Sequence, residues 1–203
     1  MPPYAASPYD PHVLRGELTG LRAPTDNDIE VFETELLTDV ETRIRATGRP
    51  WLPVAPGTAD SPSRQAEDRT AIRFAVVELA TGELAGEAVM SGIDLHNRHA
   101  EIGLVLRPAC RGRHLGTDVV RVLCHYGFVI RGLHRLQITT LADNHAMIAA
   151  AVRAGFVLEG TTRDAAWIDG GFADGVTLSL LSGEWSPAAP SSSPARPGPR
   201  TSS

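Results

Sequence analysis

The segment from Ala100 to Leu106 reads AEIGLVL and stops at Pro108. A run this short and this nearly apolar predicts a strand buried in a sheet. It passes through CRGRHLGTD into a stretch, Thr117 to Arg131, where Val120, Leu123, Gly127 and Ile130 step along one face with Val119 and Tyr126 beside them. That spacing predicts a helix opened by a glycine-bearing turn. A buried strand feeding an amphipathic helix calls for a layered fold of sheet and helix.

The rest of the chain fits that frame. Leu18 to Ala23 reads as a first strand ending at Pro24, and Thr25 with Asp28 forms a capping-box-like helix start. Ile29, Phe32, Leu36 and Leu37 supply one buried helical face, and the pattern runs on to about Ala46 before Gly48. Arg49 to Asp68 is rich in proline, glycine and serine, which predicts a loop with at most a short helix near Ser63 to Thr70. Arg73 to Leu79 and Glu83 to Ile93 flank Thr81-Gly82 as a hairpin. Leu133 to Leu141 alternates as a strand, and Asn144 to Ala154 is a short alanine-rich helix with Gly155 at its left-handed cap. Val157 to Ile168 and Phe172 to Leu181, joined by Asp169-Gly170-Gly171, form a last hairpin. The class is α+β with a mixed sheet, and no internal repeat is found.

Composition bounds the function. At 203 residues, 42% hydrophobic and 21% charged, the chain suits one domain. We place that domain at 13–185, between a flexible arm at 1–12, which holds four prolines, and a Pro/Ser-rich tail at 186–203. The 19 cations, all arginine, are outnumbered by 24 acids for a net charge of -5, which argues against a nucleic-acid partner. No run of eighteen apolar residues and no leader pattern occur, so no membrane association and a cytoplasmic location are expected. Cys110 and Cys124 lack metal-ligand spacing and read as free thiols. No metal site is expected.

The chemistry concentrates in the turn Arg111-Gly112-Arg113-His114-Leu115-Gly116. Unpaired amides and the positive end of the dipole at a helix start make a seat for phosphate, glycines let its oxygens approach, and Arg111 and Arg113 add charge. The same residues also serve simply to cap and solvate a helix.

A second stretch decides between these readings. NHAMIAAAVRAGFVLEGTTRDAAWIDGGFADGVTLSLL, Asn144 to Leu181, resembles the second signature of the GNAT superfamily of acyl-CoA-dependent N-acyltransferases, and is most similar to the RimJ/RimL-like ribosomal-protein N-acetyltransferase branch. The matching residues are Asn144, Gly155-Phe156, Glu159-Gly160, Arg163, Asp169-Gly170 and Asp174. The turn matches the R-x-x-G-x-G diphosphate loop at Arg111 and Gly116, and Ala100-Glu101-Ile102-Gly103 fits the central strand. The resemblance spans about Val13 to Gly183.

It implies a GNAT fold: a mixed, mostly antiparallel sheet of about seven strands with helices on both faces and a splayed central pair, Glu101 to Leu106 against Leu133 to Leu141. Acetyl-CoA is the implied co-substrate. Its pantetheine arm would lie in the splay like an added strand. Its diphosphate would sit on the amides of Arg111, Gly112, Arg113, His114, Gly116 and Thr117. An amide near Val105 or Leu106 would steady the oxyanion. Asn144 would touch the pantetheine or hold the opening apart, although asparagine also serves as a plain N-cap. Glu101 is the candidate base, with Asp94, His96 and His99 as alternatives.

This chain departs from the family pattern at three positions. His114 stands where the loop's first glycine is expected, and Met147 and Ala151 replace a serine and a tyrosine that would protonate the leaving thiolate. Cys110 has no nucleophile partner in sequence, which favours direct transfer over an acyl-enzyme. Arg163, Asp164, Trp167, Asp174 and Trp51 are candidates to line the acceptor pocket. The implied function is acetyl transfer to a primary amine, either a peptide or protein N-terminus or a small molecule; members of the resembled family often pair, and a homodimer is an open alternative for this chain. The rival is a catalytically inactive acyl-CoA-binding sensor or scaffold.

Overall fold

The structure, a computed structural model, describes residues 13–36 and 71–186. The expected continuation of the first helix to Ala46, the Arg49 to Asp68 loop with Trp51, the arm at 1–12 and the tail from 187 onward lie outside the described residues.

Among the described residues the chain builds one eight-stranded sheet. Its strands are β1 (Leu14–Arg15), β2 (Thr19–Arg22), β3 (Ile72–Glu78), β4 (Leu84–Asp94), β5 (His99–Leu106), β6 (Arg135–Leu141), β7 (Val157–Ile168) and β8 (Gly171–Leu181). The order is β1-β2-β3-β4-β5-β6-β8-β7, antiparallel throughout except where β5 meets β6. The expected strands are all present. The additional one, β1, is a two-residue stub paired to β2 that carries too little pattern to read.

Helix α1 (Asp26–Val31) starts at the expected box: the Thr25 hydroxyl takes the Asp28 amide, and the Asp28 carboxylate takes the Thr25 amide. Burial pushes the Asp28 carboxyl up, but bonds from Arg22 and Thr25 outweigh it and hold it below its ordinary value. A π-helical turn, Phe32–Leu36, continues α1 and packs Phe32 and Leu36 on Ala75, with Leu84 and Val105 alongside.

Two helices cover the opposite face. These are α2 (Leu115–His125), extended by a π-helical turn at Tyr126–Ile130, and α3 (His145–Arg153). Val119, Val120 and Leu123 of α2 join Ala100, Ile102, Leu136, Ile138 and Leu178 in the main core. Each of these valine, leucine and isoleucine side chains contributes roughly 1.5 to 3 kcal/mol of transfer free energy. Gly155, at φ 102°, ends α3 in the left-handed conformation its position demands.

β5 differs from its reading as a fully buried strand. Ala100 and Ile102 are buried, whereas Glu101, Gly103 and Val105 are half-buried on the other face. Its apolar run reflects two different coverings: α2 on one side, and the lighter contact of the α1 turn on the other. Among the described residues no helix is long and apolar enough to cross a membrane.

Candidate functional site

The parallel pairing of β5 with β6 covers only His99 with Arg135, Ala100 with Leu136 and Glu101 with Gln137. β5 nonetheless stays on β4 as far as Leu106, and β6 stays on β8 as far as Leu141. The two strands therefore diverge beyond Glu101 and leave a gap between their inner edges. The Arg107 amide bonds the Ala85 carbonyl, so strand alternation turns Val105 toward β4 and Leu104 and Leu106 toward the gap. Of the two alternatives for the oxyanion amide, Val105 or Leu106, alternation turns only that of Leu106 to the gap. The fit of β4 against β5 depends on Gly86, where a Cβ would lie 2.2 Å from the Val105 carbonyl oxygen.

At the mouth of the gap the chain turns through a 3-10 segment, Pro108–Cys110, into α2. The Arg111 amide is taken by the Pro108 carbonyl at 3.3 Å. Among the described residues the amides from Gly112 to Thr117 have no acceptor, and the first intrahelical bond runs from the Asp118 amide to the His114 carbonyl. This is the row of open donors that a diphosphate requires. His114 caps α2 at φ 62°, so the backbone adopts the glycine-type conformation in spite of the side chain.

The loop arginines behave otherwise than expected. Nε of Arg111 donates to the Leu106 carbonyl at 3.0 Å, on the gap side of β5. Arg113 is ion-paired to the largely buried Glu78. Both guanidiniums brace the turn against the sheet.

Glu101 sits at the last paired position before the gap, half-buried, and its carboxylate has no hydrogen-bond or ion-pair partner among the described residues. Five residue steps along the strand, roughly 16 Å, separate it from Leu106. Its sheet face continues across β6 as a polar row that the sequence reading did not single out. Arg135 bonds Gln137 and Glu159, Gln137 bonds Thr139, and Ser179 donates to Glu159. Glu159 is thereby held far down, at about 2, chiefly by Arg135 and then by Ser179. The alternation of Arg135, Gln137 and Thr139 was the available signal. His99 and Asp94 approach each other at 3.7 Å at the far end of β5, with His96 in the same turn. The Asn97 amide and side chain hold the Asp94 carboxyl below its ordinary value.

Asn144 does two things at once. Its Oδ1 accepts the Met147 amide as an N-cap, and its Nδ2 donates to the Thr140 hydroxyl on β6. α3 is thus tied to the diverging strand. Met147 is half-buried, and Ala151 is fully buried in the core. Cys124 is buried and its thiol is pushed up to about 12, while Cys110 is half-buried beside the turn. On the last hairpin, Trp167 and Phe172 stack edge to face, both exposed, and the Asp174 carboxylate takes the Asp164 amide. Among the described residues no cluster of His, Cys, Asp or Glu could hold a metal ion.

A shallow depression lies beside the open amides, between the start of α2, the β1–β2 turn and the end of α3. Its lining includes His114, Thr117, Arg121 and Arg153. The two arginines were not singled out by the sequence, because they lie on different helices and no shared motif links them.

A family model described as an acetyltransferase (GNAT) domain matches residues 19–157. The chain is 35% identical over 107 residues to the Bacillus subtilis (strain 168) protein named "Putative ribosomal N-acetyltransferase YdaF", covering 53% of this chain and 58% of that protein. It is 26% identical over 123 residues to spermidine N(1)-acetyltransferase of Escherichia coli (strain K12), covering 61% and 65% respectively. The chain thus spans about three fifths of the length of these curated relatives. Among solved structures, a spermidine N-acetyltransferase from Vibrio cholerae in complex with CoA and spermine superposes with a TM-score of 0.73 at 20% identity, over 83% of this chain and 98% of that one. A GCN5-related N-acetyltransferase from Brucella melitensis gives 0.69 at 24%, over 87% and 81%. At such identities the likeness is one of fold.

Proposed function

Since the chain belongs to the GNAT acetyltransferase family, we propose that it moves an acetyl group from acetyl-CoA to a primary amine by direct transfer. The observation that carries this reading is the continuity of the open amides at Gly112 to Thr117 with the gap between β5 and β6. A cradle for a diphosphate opens directly onto a slot with free strand edges. A ligand with a diphosphate at one end and an amide-bearing arm at the other suits that geometry.

In this reading the loop amides hold the diphosphate. The Leu106 and Leu104 backbone groups bond the arm, with Arg111 yielding the Leu106 carbonyl it caps. Asn144 keeps β6 and α3 in register with the opening. Glu101, free and half-buried at the closed end of the slot, takes the proton from the incoming ammonium, directly or through water. An alkylamine with an ordinary pKa near 10.4 is almost wholly protonated at neutral pH, so this step is needed. The amine nitrogen then bonds the acetyl carbon, the carbon–sulfur bond breaks, and the surplus proton of the nitrogen passes through water to the departing thiolate, while Glu101 returns its proton to solvent. A thiol pKa of roughly 8.5 makes water sufficient as the acid, which suits a helix that offers only Met147 and Ala151.

The acceptor is a peptide N-terminus or a small-molecule amine. The relatives named for spermidine and for ribosomal substrates support both. The absence of a proton donor at Met147 and Ala151 favours a second reading, a CoA-binding sensor without turnover. Thiol release from acetyl-CoA over a panel of amines and peptides separates the two. Amine-dependent release supports transfer, and binding without release supports the sensor.

A further inference from the structure

Resting on that reading of the donor, we propose that Arg121 and Arg153 form the seat of the 3′-phosphate of CoA, in the depression outboard of the diphosphate loop. Nη2 of Arg121 donates to the backbone carbonyl of Arg153 at 3.4 Å, and both exposed arginines line the depression. Neither has a carboxylate partner among the described residues. The loop's own arginines are already engaged, Arg113 by Glu78 and Arg111 by the Leu106 carbonyl. Asp118 also lines the depression, but its carboxylate is turned into the β1–β2 turn and accepts four bonds there. Among the described residues Glu17 is the other acidic side chain on the rim.

Two cationic side chains on one rim that form no ion pair among the described residues attract a dianion more than a monoanion. Each phosphorus of the diphosphate is a diester carrying about one charge, whereas a phosphate monoester carries about -1.5 to -2 at neutral pH. The monoester is also the part of the coenzyme that lies beyond the diphosphate from the pantetheine. His114 and Thr117 line the depression and also belong to the amide row, so the two subsites adjoin. Paired guanidinium bonds to a phosphate are charge-assisted and discriminate strongly.

The test is calorimetric binding of CoA and of 3′-dephospho-CoA to the full chain and to the Arg121→Ala/Arg153→Ala double variant. Both positions are exposed, so folding is expected to be unaffected, and the Arg121→Lys/Arg153→Lys variant serves as a charge-keeping control. The expected wild-type preference for CoA is roughly tenfold or more, shrinking with salt. In the alanine variant that preference falls to about one while dephospho-CoA affinity is unchanged, and the lysine variant keeps most of it. A wild-type protein that binds both ligands equally, or an alanine variant that keeps the preference, overturns the assignment and leaves the donor reading standing. Binding of neither ligand overturns both.

Discussion

The carboxylate of Asp118 accepts both the hydroxyl and the amide of Thr19, at 2.7 and 2.8 Å, and so fastens the first turn of α2 to the start of β2. The Glu17 and Leu18 amides complete the set. Asp118 is buried, so Asp118→Ala would strand these donors away from water. A loss of about 2 to 4 kcal/mol is expected, because each unmet buried partner costs roughly 1 to 3 kcal/mol. Urea denaturation measures it. A loss under 0.5 kcal/mol would show that water replaces the carboxylate.

Glu101→Gln removes the carboxylate proposed as the base and keeps the shape of the closed end of the slot. The expected effect is a fall in kcat of roughly 10² to 10⁴ with CoA affinity unchanged. Steady-state kinetics beside calorimetry checks it. An unaltered kcat removes Glu101 from the mechanism.

His114 holds a left-handed conformation that costs an L-residue roughly 1 to 2 kcal/mol. His114→Gly relieves that strain, and tighter CoA binding with no loss of stability is expected. His114→Val, β-branched at positive φ, is expected to weaken both. Thermal melts and binding isotherms of the pair decide whether the backbone or the imidazole matters.

Glu159 titrates near 2 in the folded protein, against an ordinary 4.5. The native state therefore binds fewer protons than the unfolded chain in between. The stability this group contributes is present above about pH 4.5 and lost as pH falls toward 2. Glu159→Gln should flatten that part of the stability profile, as read by denaturant midpoints at several pH values. An identical slope in the variant assigns the acid sensitivity elsewhere.

Cys124 is buried and its thiol is held at about 12, so a thiol reagent at neutral pH should leave it untouched in the native protein. Cys110 is half-buried and is the site expected to react first. Mass mapping of timed alkylation tests this. Cys124 modified at the rate of Cys110 would mean that α2 opens locally.

Periodicity located nearly every described element, because alternation on β6 and the stepped valines of α2 answer to a single core. The caps at Thr25, Asn144 and Gly155 were legible for the same reason, since each residue satisfies its own neighbours locally. The splay was not legible from pattern: it depends on where two ladders stop, and only the resemblance supplied it. The engagement of Arg113 by Glu78 and the meeting of Arg121 with Arg153 join residues 35 and 32 positions apart. No local rule reports such contacts. The alternation that turns Val105 away from the gap and Leu106 toward it was in principle readable, but it needed a known partner strand to fix its sign.

Only three residue pairs bridge β5 and β6. Within the sheet, five strands and three form two plates that share only this short seam, with α2 packed across both. Amide hydrogens on either plate are expected to exchange late, and those bordering the seam early. Whatever lodges in the wedge also acts as a spline, so ligand should slow exchange most along these two facing edges and thereby turn two plates into one.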